Sequence, residues 1–294
     1  MKPLLLSLIL TIALALTACQ GNRKRASDTL LGLKEVAINV ITSEVKSRGQ
    51  SALSERAISK LTVVVYANNG DCIQEKSFID VSGSVRVAPV EKSLFPLHIF
   101  AVANFDNKSS VWPWGITPSD WQTTTHNTLD RLSLWQRVSG KTIIACTAPL
   151  PMYGQSSMAI NASAATITLT RPVVCVKVSN TSSSLSSLVF TGLAVELSVD
   201  VNGGISSTPT DKAHDYTYTD NNTFTPLATT RNYYFMPTTT ASLSITDTGG
   251  VVRNKRLPTL ISNHALSITV YDKTIECGMS IEVNPEWQEE VAMP

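Results

Sequence analysis

Charge is in short supply in this chain of 294 residues, and neither sign dominates. Lys and Arg together number 24 against 23 Asp and Glu, a formal net charge of +1. That balance excludes nucleic acid as the main partner, because phosphate binding needs a clustered basic surface. Histidine is scarce, at four residues, each standing alone in an apolar run or a polar loop. His126 and Asp130 are four apart, yet no third ligand accompanies them, so no metal site is expected. Five cysteines are present, but none forms a Cys-x-x-Cys pair, which leaves no zinc or thiol-redox motif. A Gly-x-Ser-x-Gly elbow, a Gly-rich phosphate loop and His-Glu-x-x-His are also missing. Neither enzymatic activity nor a bound cofactor is expected.

Long apolar runs are missing too, with one exception at the N-terminus. Met1-Lys2 followed by Pro3 to Ala18 has the charged start, apolar middle and small final residues of an export signal. Leu16-Thr17-Ala18-Cys19 resembles the bacterial lipobox, in which the cysteine becomes the acylated first residue of the mature chain. Residues 1–18 are thus read as a lipoprotein signal peptide and 19–34 as a lipid tether. Several acyl chains on Cys19 would anchor durably, since each buried methylene contributes about 0.8 kcal/mol. Arg23, Lys24 and Arg25 form a small basic cluster in the tether, read as a solvated spacer. Cys72, Cys146, Cys175 and Cys277 remain; outside the cytoplasm they allow two disulfides in three connectivities, and the pairing stays open.

What is abundant is Ser and Thr, set among short apolar runs that favour an all-β protein with many turns. The stretch Glu35 to Tyr66 reads as strand, loop, strand. Val36, Ile38 and Val40 share one face of the first run, and Leu61, Val63 and Val65 share one face of the second. Between them lie small and polar residues with Arg48 and Arg56, the composition of an exposed loop open to proteolysis. Asn68-Asn69-Gly70-Asp71 marks a tight turn, and Ser77 to Val87 another strand or two. Phe95 to Asn104 is a continuous apolar run of strand length, expected to be central and buried on both faces, with His98 as a core residue. Leu129, Leu132, Trp135 and Val138 recur at threefold spacing, which predicts one short amphipathic helix ending at Gly140.

Arg171-Pro172 interrupts an apolar run, and a ladder does not tolerate proline in its middle, so a domain boundary is expected there. Strands follow at 188–201, 232–236, 241–246, 251–257, 265–271 and 279–283, separated by glycine and asparagine breaks, as in a second β-sandwich. The fold class is therefore all-β: two tandem sandwiches, 35–171 and 172–294, with one short helix in the first.

Several passages together resemble one family. The lipobox, EVAINVIT…SRGQ…ISKLTVVVYANNG, FPLHIFAVAN, SNHALSITV and the terminal SIEVNPEW look like the fimbrillins, subunits of the protease-assembled (type V) pili of Bacteroidales. The resemblance implies two transthyretin-like Greek-key sandwiches, export to the outer membrane as a surface-exposed lipoprotein, and assembly by strand exchange with fimbrial stalk subunits. It makes Val36, Ile38 and Val40 the removable first strand. Arg48 takes the place of the protease-cleaved arginine, with Arg56 as a second site. The segment from Thr274 to Trp287, with Met279, Ile281 and Val283, becomes the candidate donor strand. The closing QEEVAMP is more acidic and less apolar than a stalk subunit's donor, and the tether is basic where acidic tethers are usual. A compact subunit with such a tail is most similar to the major fimbrium's anchoring subunit, whose retained first strand blocks its own groove and stops growth. The alternatives are a processed stalk subunit, or a glycan-binding surface lipoprotein using Trp112, Trp114, Trp121 and Trp135 as a stacking platform, against which core packing is the plainer role for those rings.

Overall fold

A computed structural model describes residues 32–42, 57–105, 114–117, 132–144, 149–199, 215–221, 229–273 and 276–284. In chain order the first strands are β1 (Leu33–Thr42), β2 (Lys60–Tyr66), β3 (Cys72–Ile79), β4 (Ser84–Glu91) and β5 (Leu97–Ala103). Then come β6 (Trp114–Thr117), β7 (Leu132–Gln136), β8 (Val138–Ser139), β9 (Thr142–Ile143), β10 (Met152–Met158) and β11 (Ala165–Leu169). The remainder comprises β12 (Val174–Asn180), β13 (Leu185–Leu193), β14 (Glu196–Val199), β15 (Tyr216–Asp220) and β16 (Thr229–Phe235). Last are β17 (Ser242–Asp247), β18 (Val252–Arg256), β19 (Ala265–Lys273) and β20 (Glu276–Asn284). Regular structure among the described residues is nearly all strand. The helical element among the described residues is a single 3-10 turn at Lys92–Leu94, and no helix there is long and apolar enough to cross a membrane.

In the first half, a three-stranded sheet ordered β11-β1-β4 faces a four-stranded sheet ordered β10-β5-β2-β3. β1 and β2 are both strands, as their composition indicates, but they lie in different sheets and do not form a hairpin. Burial along β5 is nearly continuous because its sheet is covered on both sides. Leu61, Val63, Val65, Ile99 and Ala101 point inward to the sandwich core. Val64, Tyr66, Phe100 and Val102 point the other way, into a second cluster shared with Val173, Cys175, Tyr234, Met236 and Ala265 of the second half. Each fully buried large side chain contributes about 1.5–3 kcal/mol, so one sheet supports two cores. Burial, reinforced by Cys72 and Glu75 nearby, pushes the Tyr66 hydroxyl far above its ordinary pKa and keeps it neutral.

The second sandwich sets β16-β12-β19-β20 against β18-β17-β13-β15-β9-β8, whose last two strands come from the chain before Arg171. Phe190 sits at the centre, its ring 5.2 Å from Tyr233 and 5.0 Å from Phe235. Asp220, buried on β15, accepts hydrogen bonds of 2.7 Å from both the Tyr233 hydroxyl and Arg231 Nη1 of β16, tying the two sheets together.

The expected helix ending at Gly140 is not formed: Leu132 to Gln136 is β7, and the earlier part of that stretch lies outside the described residues. Threefold spacing of Leu132, Trp135 and Val138 suggested a helix, but the residues that bury are two apart, Leu134 and Gln136. β7 has strand partners on both sides, β6 and β14, and tertiary pairing overrides a short local pattern. Gly140, at φ 59°, is the turn of the β8–β9 hairpin rather than a helix cap. Gln136 also reaches across to the second half: its N–H donates to Val195 O at 2.7 Å, and Nε2 donates to Tyr234 O at 3.2 Å.

One buried polar residue closes the first core. Asn104, at φ 62° and fully buried, donates from Nδ2 to Ala57 O (2.9 Å) and Leu150 O (2.7 Å), while Oδ1 accepts from Ser59 N–H (3.0 Å). Asn104→Ala strands these backbone groups and leaves a residue ill suited to positive φ, so it should cost about 2–4 kcal/mol. Urea denaturation measures this; a loss under about 0.5 kcal/mol, the level of a neutral surface change, would contradict the role.

Candidate functional site

β1 is the middle strand of its sheet, and its two neighbours pair with it in opposite senses. It runs parallel to β11, from Ile38 opposite Ala165 to Thr42 opposite Leu169. It runs antiparallel to β4, from Leu33 opposite Glu91 to Asn39 opposite Ser84, with a register shift between Lys34 and Val36. Alternation follows from the pleat. Val36, Ile38 and Val40 turn into the core among Val85, Val87 and Ile167, while Glu35, Asn39 and Ile41 face solvent. The inward residues are all β-branched, the side chains that pack best on a pleated surface.

Both ends of β1 are fastened by main-chain bonds. Lys92 N–H donates to Gly32 O at 2.9 Å, and Val40 N–H donates to Gly83 O at 3.1 Å. The Arg86–Glu35 pair, 3.0 Å apart, adds little, because both side chains are about three-quarters exposed. Lys34 Nζ donates to the carbonyl of Ile160. What β1 occupies is therefore a lane with two hydrogen-bonding walls and an apolar floor. Any segment that vacates it leaves two edges unpaired, and any extended segment that enters gains two ladders at once.

The other expected site residues are placed as follows. Met279, Ile281 and Val283 lie on β20, opposite Val270, Ile268 and Leu266 of β19, at the edge of a sheet in the second half. Within one molecule they are not brought together with Val36, Ile38 and Val40. Cys19, Arg48 and Arg56 lie outside the described residues; the two arginines fall in the segment between the end of β1 and Ala57. Trp112, Trp121, His126, Asp130 and Cys146 also lie outside them. Trp114 is fully buried in the cluster between the halves, so its ring packs rather than presents a stacking face, while Trp135 on β7 is partly exposed. Cys175 is buried in the same cluster, with Cys72 packed against it. Among the described residues no group of His, Cys, Asp and Glu is arranged to hold a metal ion.

Sequence reasoning missed β11 as the parallel partner of β1. Its alternation is plain in Ala165, Ile167 and Leu169, but nothing local says which distant strand it pairs with. It also missed the half-buried Gln74 and the small Gly154, which act only through neighbours in space.

The chain is similar to proteins of one kind. A family model described as the fimbrillin-A associated anchor proteins Mfa1 and Mfa2 matches residues 35–292. Among solved structures, the tip fimbrial protein Mfa3 of Porphyromonas gingivalis aligns over 85% of this chain and 99% of its own, with a TM-score of 0.56 and 12% identity. The fimbrial anchor protein Mfa2 of the same organism aligns over 85% and 98%, at 0.52 and 15%. A fimbrial assembly protein of Parabacteroides distasonis aligns over 86% and 99%, at 0.57 and 15%. At these identities the structures speak for a shared fold. No curated protein sequence matches the chain.

The lane makes a direct prediction about side-chain direction. Ile38→Ala, at a fully buried position in the middle of β1, should cost about 2–5 kcal/mol of stability. Ile41→Ala, three residues on and 47% exposed, should stay within about 0.5 kcal/mol. Equal losses in chemical denaturation would contradict the inward seating of β1.

Proposed function

Because the chain belongs to the family of fimbrillin-A associated anchor proteins, we propose that it is the lipoprotein subunit that fixes a fimbrium to the outer membrane and limits its length. The single observation that carries this reading is β1 seated between β11 and β4, so that the subunit's own first strand fills its groove. A subunit in that state accepts no donor strand and therefore ends a polymer. The role is one of assembly rather than catalysis.

On this reading residues 1–18 are removed, Cys19 is acylated, and 19–34 tether two transthyretin-like Greek-key sandwiches to the lipid. The boundary between the sandwiches is placed near Arg171, which lies fully buried in the short connection from β11 to β12. Arg48 and Arg56 stay uncut in the mature anchor. Stalk subunits are joined by strand exchange at the C-terminal end, through the strand that carries Met279, Ile281 and Val283. Donation there competes with the nine residue pairs that hold β20 on β19, which suits a single permanent junction better than rapid repeated growth. A processed stalk subunit is the other assembly role, and it requires β1 to leave.

Replacing the lipid attachment site tests the anchor role. In Cys19→Ser cells the protein should leave the membrane fraction, and fimbriae should be shed or lengthened. Unchanged membrane retention and fimbrial length would overturn the reading. Arg48→Ala with Arg56→Ala should leave fimbrial number and length unaltered, whereas a stalk subunit so changed would stop assembling.

A further inference from the structure

The two strands that border β1 are each held from their far side as well. Just beyond β11, Thr170 exchanges backbone hydrogen bonds with Tyr153 of β10, at 2.9 and 2.8 Å. The next residue along β10 is Gly154. A methyl group there would sit 2.4 Å from Thr168 O and 2.8 Å from Ile167 Cγ2, closer than atoms can pack. Glycine is thus what lets β10 pass tightly enough to hold β11 in place.

β4 is held differently. Beyond it stands β3, the edge of the opposite sheet, and the two strands do not pair through their backbones. A groove of about 810 Å³ separates them, lined by Cys72 to Lys76 and Arg86 to Ala88. Gln74 spans it. Its Nε2 donates to Ala88 O at 2.9 Å, and its Oε1 accepts from Ala88 N–H at 3.0 Å. Ala88 sits where β4 carries an extra residue, because the pairing jumps from Val36 opposite Val87 to Lys34 opposite Val90. One carboxamide thereby takes both peptide groups of a residue that the ladder with β1 skips. Lys76 Nζ adds a bond of 3.2 Å to Arg86 O.

We propose that Gln74 and Gly154 are positioning residues that keep β4 and β11 two strand spacings apart, about 9.5 Å, so that the lane of β1 retains its shape while empty. This rests on reading the lane as a strand-exchange site. Without the two clamps, β4 and β11 would lose the strand between them and be free to close together or fray. With them, the lane admits an extended segment that bears β-branched residues at three alternate positions, parallel to β11 and antiparallel to β4.

The test uses the full chain with a specific protease site inserted between residues 43 and 56; after cutting, the fragment carrying β1 is washed off in mild denaturant that is then diluted away, so that the lane is empty. A fluorescent synthetic peptide of the sequence of residues 32–43 is added, and its uptake rate is followed alongside the melting of the uncut protein. Cut Gln74→Leu should take up peptide about tenfold more slowly, the worth of one or two such hydrogen bonds. Gln74→Glu, which still accepts from Ala88 N–H, should fall between. Uncut Gln74→Leu should melt within a few degrees of the parent, since covalently tied β1 still holds β4. Gly154→Ala, if it folds, should slow uptake as well. Uptake at the parental rate in cut Gln74→Leu overturns the proposal. So does a fall in the stability of the uncut variant large enough to account for the slower uptake, which would make Gln74 merely structural. If the cut parent protein takes up no peptide at all, the exchange reading itself fails and the clamps lose their purpose.

Discussion

Two backbone edges that face each other across the width of one strand must both be filled, and β1 fills them. That requirement organises the first half of the molecule. β11 and β4 both pair with the same strand, so β1 cannot slip in register on one without breaking its ladder with the other. The inward residues Val36, Ile38 and Val40 then add apolar burial to the hydrogen bonds. A lane of this kind binds its occupant strongly, and it is also the place where a different occupant gains the most. On the proposed reading, retention or replacement of one strand is the physical choice between ending a fibre and extending it.

The rest of the architecture protects that lane from the other side. The sheet β10-β5-β2-β3 forms the floor of the first core and, on its outer face, one wall of the cluster between the halves. Trp114 and Leu134 of the connecting strands fill that cluster, and Gln136 bonds directly to the backbone of β16. Pull on the second half is carried first into a sheet buried on both faces. On the proposed anchor reading the load then reaches the lipid through β1, into which the tether 19–34 leads, so the two ladders of β1 carry it.

Much of this was legible in the residues. The alternation in β1, the continuous burial of β5 and the late strands β19 and β20 follow from side-chain periodicity, because each pattern is local and strong. β7 was misread as helix because Leu132, Trp135 and Val138 mimic a helical stripe over a stretch too short to decide between periods. β15, with Tyr216 and Tyr218 half-exposed among threonines, has too weak an apolar signal to stand out. The pairing of β1 with β11, the clamp at Gln74 and the close approach at Gly154 are products of topology. They join residues far apart in sequence, and a half-buried glutamine or a small glycine gives no hint of its partner. The lipobox resemblance is local for the opposite reason, since the proposed acylation would be specified by a few adjacent residues around Cys19.

The most direct measurement is mass spectrometry of the N-terminal peptide of this protein recovered with intact fimbriae. The account predicts an acylated Cys19 whose chain continues unbroken through Arg48 and Arg56 into β2. A new N-terminus at Gly49 or Ala57 would contradict it, because β1 would then have been cut from the subunit and its lane given over to a neighbour's strand.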